Sequence, residues 1–206
     1  MITGLLFPFA FGIAFFVALV MATVYGPCAH DIDHVILRAR KLDPSDLEML
    51  LDAGAEWKLR QSLTILAFRA AQEDRIRLAR EYLQRVGHNA GLIQFWIMPE
   101  NQPLVEGKPR EKYTERDSLV AEAFELAMEL RLYSIGATVR IGAWLMLKMY
   151  RWPQMLIPRV PDLRVQCGVD VIKKYRRLTE LAVILSARYG KNYQDQLVEV
   201  LQSRSV

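Results

Sequence analysis

The chain has 206 residues, 52% of them hydrophobic and 24% charged, with a formal net charge of +4. That length suits one domain of ordinary size plus an additional segment. The positive surplus is small and interleaved with acids, as in Glu73-Asp74-Arg75 and Arg110-Glu111-Lys112, so no nucleic-acid partner is expected. Two cysteines, Cys28 and Cys167, make no disulfide framework and no C-x-x-C pair for zinc or redox chemistry.

From Ile2 to Tyr25 there is no charged side chain, and the first anywhere is Asp31. At 1.5 Å per residue this stretch reaches about 36 Å as a helix, enough to cross a hydrocarbon core of about 30 Å. Residues 1–27 are therefore expected to form a single transmembrane anchor, stopped by Gly26-Pro27. A cleaved signal peptide would need a basic start, which Met1-Ile2-Thr3-Gly4 lacks. Arg38, Arg40 and Lys41 follow the span closely, so the positive-inside rule places the bulk of the chain on the cytoplasmic side. Within the span Ala10, Ala14, Ala18 and Ala22 recur every four residues. This ladder lets a second helix approach closely in lipid, either from another copy or from another membrane subunit.

Residues 28–42 form a juxtamembrane segment. Its Cys28-Ala29-His30-Asp31-Ile32-Asp33-His34 run places His30 and His34 one helical turn apart, a spacing that suits two ligands of a divalent metal. The run reads H-D-x-x-H, close to the H-E-x-x-H of zinc metalloproteases. The Asp side chain is shorter than Glu by one bond of about 1.5 Å, and no third ligand follows at a recognisable spacing. The simpler expectation is a polar turn whose Asp residues cap a helix and whose His residues sit at the headgroups, with no cofactor.

Residues 43–206 are expected to form an α-helical domain of about five helices, giving an all-α fold. Asp43-Pro44-Ser45-Asp46 opens the first with an Asp N-cap and Pro in the first turn. Gly54 is expected to interrupt it. A longer helix is predicted from about Ala55 to Val86, with Leu59, Leu63, Leu66 and Ala70 inward and, after a phase shift, Ile76, Ala79, Leu83 and Val86. Its outer face offers i,i+4 pairs in Arg69–Glu73, Glu73–Arg77 and Arg77–Glu81, and Gly87 is expected to end it. Leu92 to Met98 reads as a short buried strand, a helical turn, or a membrane-surface contact through Trp96.

Residues 99–113 carry Pro103, Gly107 and Pro109 and read as a loop or linker. Thr114-Glu115-Arg116-Asp117 resembles a capping box, and its helix is predicted to reach about Tyr150. The second half, Leu132 to Leu147, is apolar on nearly every side but contains Arg140. It is too short for a second span and is read as a buried helix, packed closely to a neighbour through Ser134, Thr138 and Gly142. Further helices are expected over about Val169–Tyr189 and Tyr193–Leu201.

No phosphate-binding G-x-x-x-x-G-K, dinucleotide G-x-G-x-x-G or nucleophile G-x-S-x-G occurs. Glu122, Glu125 and Glu129 lack the E-x-x-H partner of a di-iron bundle. The leading expectation is a membrane-anchored, non-enzymatic subunit or scaffold that assembles through its transmembrane helix and docks a protein partner at the cytoplasmic membrane surface. The alternatives are a metal-binding protein or metal-dependent hydrolase centred on His30 and His34, and a protein that binds anionic lipid surfaces through its basic residues.

Overall fold

A computed structural model describes residues 31–98, 115–149 and 169–201. These residues are almost wholly helical, and no strand occurs among them. The helices are α1 (Ile32–Arg38), α2 (Pro44–Leu51), α3 (Ala53–Ser62), α4 (Ile65–Ile97), α5 (Glu115–Met149), α6 (Val169–Ser186) and α7 (Lys191–Leu201). A single 3₁₀ turn, Ala187–Tyr189, joins the last two, and Gly190 leaves it at φ +109°, a conformation open to glycine at no steric cost.

Helix starts follow the side chains that can satisfy the first free N–H groups. Asp31 accepts from the Ile32 amide at 2.7 Å, and Asp43 from the Ser45 amide at 2.8 Å. The interruption expected at Gly54 falls two residues earlier. Asp52 ends α2 and caps α3, accepting from the Gly54 and Ala55 amides at 2.9 and 3.1 Å.

The helix expected over 55–86 is in fact two. Leu63 closes α3, and the Thr64 hydroxyl accepts from the Ala67 amide at 3.4 Å to open α4. The break turns part of the expected apolar face outward: Leu66 is 78% exposed, and Ala70 is exposed as well. Gly87 does not end α4, which runs through it to Ile97. Of the three readings of Leu92–Met98 the helical one holds, and Trp96 is buried rather than presented to a membrane surface. Further ion pairs lie on the outer face of α4. Arg77 lies 4.0 Å from Asp74, and Glu81 pairs with Arg85.

The antiparallel pair α4 and α5 forms the centre of the fold. Position 87 faces 134 and position 80 faces 142, so the Ser134–Gly142 side of α5 does meet a neighbouring helix. Ile76, Leu83, Val86, Ala90 and Ile93 of α4 are buried there with Val120, Ala127, Leu130 and Ile141 of α5. Helix α6 covers the same core with Tyr175, Leu178, Leu181 and Ala182, and α7 closes it with Leu197 and Leu201. Each fully buried Leu or Ile contributes about 1.5–3 kcal/mol. Charged pairs mark the rim of the α5–α6 seam: Arg177 grips Glu122 through two nitrogens at 2.8 and 3.1 Å, and Lys174 donates to Glu129. Arg140 reaches solvent, one of the two outcomes its position on an apolar helix allows.

No described helix is long and apolar enough to cross a membrane. The expected anchor 1–27 with Ala10, Ala14, Ala18 and Ala22 and the linker 99–113 lie outside the described residues.

Candidate docking groove

A buried asparagine fixes where α2 and α3 lie. Asn89 is inaccessible on the inner face of α4. Its Oδ1 accepts from the Arg40 amide and its Nδ2 donates to the Arg40 carbonyl, both at 2.8 Å, so one side chain holds the α1–α2 connection at both backbone groups. Nδ2 also donates to the Tyr175 hydroxyl at 2.9 Å, and that hydroxyl donates to the Leu201 carbonyl at 3.5 Å. Burial pushes the Tyr175 phenol up to about 12, so it keeps the proton it donates.

One residue earlier, the His88 Nε2 lies 3.0 Å from the Arg38 carbonyl, which accepts its hydrogen. Burial holds the His88 pKa below its ordinary value, and the charges of Arg40 and Arg38 act in the same direction; the carbonyl bond opposes them. A histidine with a depressed folded-state pKa favours the fold in its neutral form. The contribution is complete above the unfolded value of about 6.5 and is lost as pH falls from there toward the folded value. Denaturant midpoints of the parent chain should decline over that acid window, and His88→Gln should flatten the decline. Parallel curves for the two chains would refute it.

With the connection held, α2 and α3 stand off α4 and leave a groove of about 440 Å³ between the three helices. Its floor and walls are Leu50 of α2, Ala55 and Leu59 of α3 and Tyr82 of α4; Met49 and Leu78 form exposed lips. The wall positions are pinned from beneath. Arg75, largely buried, donates to the Leu50 carbonyl at the end of α2 and lies 3.7 Å from the Glu56 carboxylate of α3. Gln72 donates to the same carboxylate at 2.7 Å, and Arg176 of α6 holds Glu48 of α2 at 2.7 Å. At the far end Arg85 bridges Glu81 and the Lys41 carbonyl.

The groove is apolar apart from this ionic frame. Tyr82 is 8% exposed, and its hydroxyl is buried without a partner. Burial, then the charges of Asp46 and Asp43, push its pKa well above that of a free phenol. It therefore stays protonated, a donor without an acceptor. Lined in this way, the groove suits apolar side chains that enter between Met49 and Leu78.

Of the histidine pair, only His34 falls within the described residues. His34 is exposed on α1, and His30 lies outside the described residues. Asp31 is engaged as a helix cap, and Asp33 accepts from the Tyr193 hydroxyl and raises its pKa. Among the described residues no group of three or more His, Cys, Asp or Glu side chains is placed to hold a metal ion. The groove is invisible in the sequence pattern when α3 and α4 are read as one helix. Leu59 is expected on one continuous inner face, and Leu78 lies off the register of Ile76, Ala79, Leu83 and Val86 that follows the phase shift after Ala70. That shift was the available signal, since two registers on one stretch imply two different packing partners.

No protein-family model matches the chain, and neither the curated proteins nor the solved structures contain a significant match.

Proposed function

We propose that the chain is an assembly subunit of a membrane complex. Its uncharged N-terminal segment anchors it and packs through Ala10, Ala14, Ala18 and Ala22, and its helical domain docks a protein partner at the cytoplasmic membrane surface. The observation that carries the docking role is the groove between α2, α3 and α4, whose lips Met49 and Leu78 are 63% and 52% exposed beside an apolar interior. The partner element that fits is an amphipathic helix placing successive apolar residues in the groove, the recognition mode in which apolar anchors supply affinity. The ionic frame of Arg75, Glu56, Arg85 and Glu81 is already internally paired, so affinity should depend on apolar contact more than on charge.

A photo-crosslinking amino acid placed at Leu78 in the native membrane should yield one discrete protein adduct. The same probe at Gln84, exposed on α4 outside the groove, should not. Adding Leu59→Glu should reduce the Leu78 adduct by roughly tenfold or more, since a charge in an apolar contact costs above 1.4 kcal/mol. Equal labelling from both probes, or an adduct indifferent to Leu59→Glu, would overturn the docking role. Labelling of lipid alone would instead favour a membrane-surface role.

A further inference from the structure

Helix α5 is apolar on the side facing α4 and again on the side facing away from the core. At 100° per residue, Met128, Leu132, Gly136, Val139 and Ala143 share the outward face. Leu132 is 64% exposed and Met128 43%, and a side chain at Gly136 would meet nothing within 4 Å. An amphipathic surface helix carries polar residues there, and between Met128 and Ala143 this one does not.

The charges along the helix are more informative than the apolar stripe alone. Glu122 is engaged by Arg177, Glu129 by Lys174, and Arg131 donates to Gln94 while lying over the Phe95 ring. Arg116 and Asp117 are also engaged. Among the described residues this leaves Glu125 and Arg140, both exposed and neither in an ion pair. They flank the outward stripe, Glu125 before Met128 and Arg140 near Ala143, about 22 Å apart along the axis.

A surface with an acid at one end, a base at the other and apolar residues between is complementary to itself when turned end for end. We infer that α5 pairs antiparallel with α5 of a second copy about a two-fold axis near Leu132 and Tyr133. In that register Glu125 of each copy faces Arg140 of the other, twice by symmetry, as an isologous contact requires. Leu132 lies close to its own counterpart, and Gly136 leaves room for the partner backbone. This pairing uses none of the groove residues and does not depend on the docking role.

The test uses the full chain with Cys28→Ser, Cys167→Ser and Leu132→Cys under mild oxidation. A disulfide-linked homodimer is expected. Glu125→Arg or Arg140→Glu alone should lower its yield at least fivefold by placing like charges opposite each other, and the two together should restore it. Both positions are exposed, so thermal melts should confirm intact folding in every variant. The dimer should survive Ala14→Ile with Ala18→Ile, because the contact belongs to α5. Absence of the homodimer, a yield indifferent to the charge reversals, or loss of the dimer with the alanine substitutions alone would overturn the pairing.

Discussion

Replacing Asn89 with Ala should destabilise the chain by about 2–4 kcal/mol, read as a lowered denaturant midpoint with an unchanged slope. Three groups lose a partner at once: the Arg40 amide, the Arg40 carbonyl and the Tyr175 hydroxyl. The Arg40 groups lie near the surface and can recruit water. The Tyr175 hydroxyl is buried and keeps only its long bond to the Leu201 carbonyl. Tyr175→Phe removes one hydroxyl and should cost only about 1 kcal/mol. Because the two substitutions break one network, the double variant should cost less than the sum of the singles. Additivity, or an Asn89→Ala cost below about 1 kcal/mol, would show that the network does not hold the α1–α2 connection. The same loss has a functional reading. Arg40 is the tether behind α2, so Asn89→Ala should weaken the Leu78 adduct although Asn89 itself does not line the groove.

Local chemistry explains which parts of this arrangement were legible in the sequence. Asp43-Pro44 is a complete start signal, and its cap forms as expected. The expected starts and stops near residues 115, 149 and 169 lie within a few residues of the observed ones. Sequence pattern and structure part where a tertiary partner overrides a local signal. Gly87 resembles a helix stop because glycine costs helix about 1 kcal/mol relative to Ala. The stripe Ser134–Thr138–Gly142 was recognised as a close-packing face, yet nothing in sequence alone pairs Ser134 with Gly87. Thr64 resembled any polar residue on a helix, since a capping hydroxyl is distinguished by backbone angles that only the folded chain displays. Asn89 shows the same limit more strongly: its partners lie 49 and 86 positions away, beyond any periodicity argument. The groove depends on the Thr64 break, marked in the sequence only by the phase shift after Ala70, and on the Asn89 tether, which no local pattern displays.

Gly87 also supports the second large prediction. A Cβ at this position would lie 2.9 Å from the Ser134 Cβ and 3.5 Å from its Oγ. The obstructing Cβ is fixed to the α5 backbone and cannot rotate away, so the helices themselves must separate. Two effects then compete in Gly87→Ala. Helix propensity favours Ala by about 1 kcal/mol, while overpacking costs about 1–3 kcal/mol. The net destabilisation should be about 1 kcal/mol, and Gly87→Val, with more volume and no propensity gain of that size, should cost about 3 kcal/mol or more. The Ser134 hydroxyl is buried without a partner, so its removal forfeits no hydrogen bond and relieves a desolvated polar group. Ser134→Gly should therefore rescue Gly87→Ala, because the pair again meets with a single Cβ between the backbones. Denaturant melts of the two singles and the swap decide the matter. If Gly87→Ala is stabilising, or if Ser134→Gly worsens it, the glycine is present for a reason other than the approach of α4 to α5.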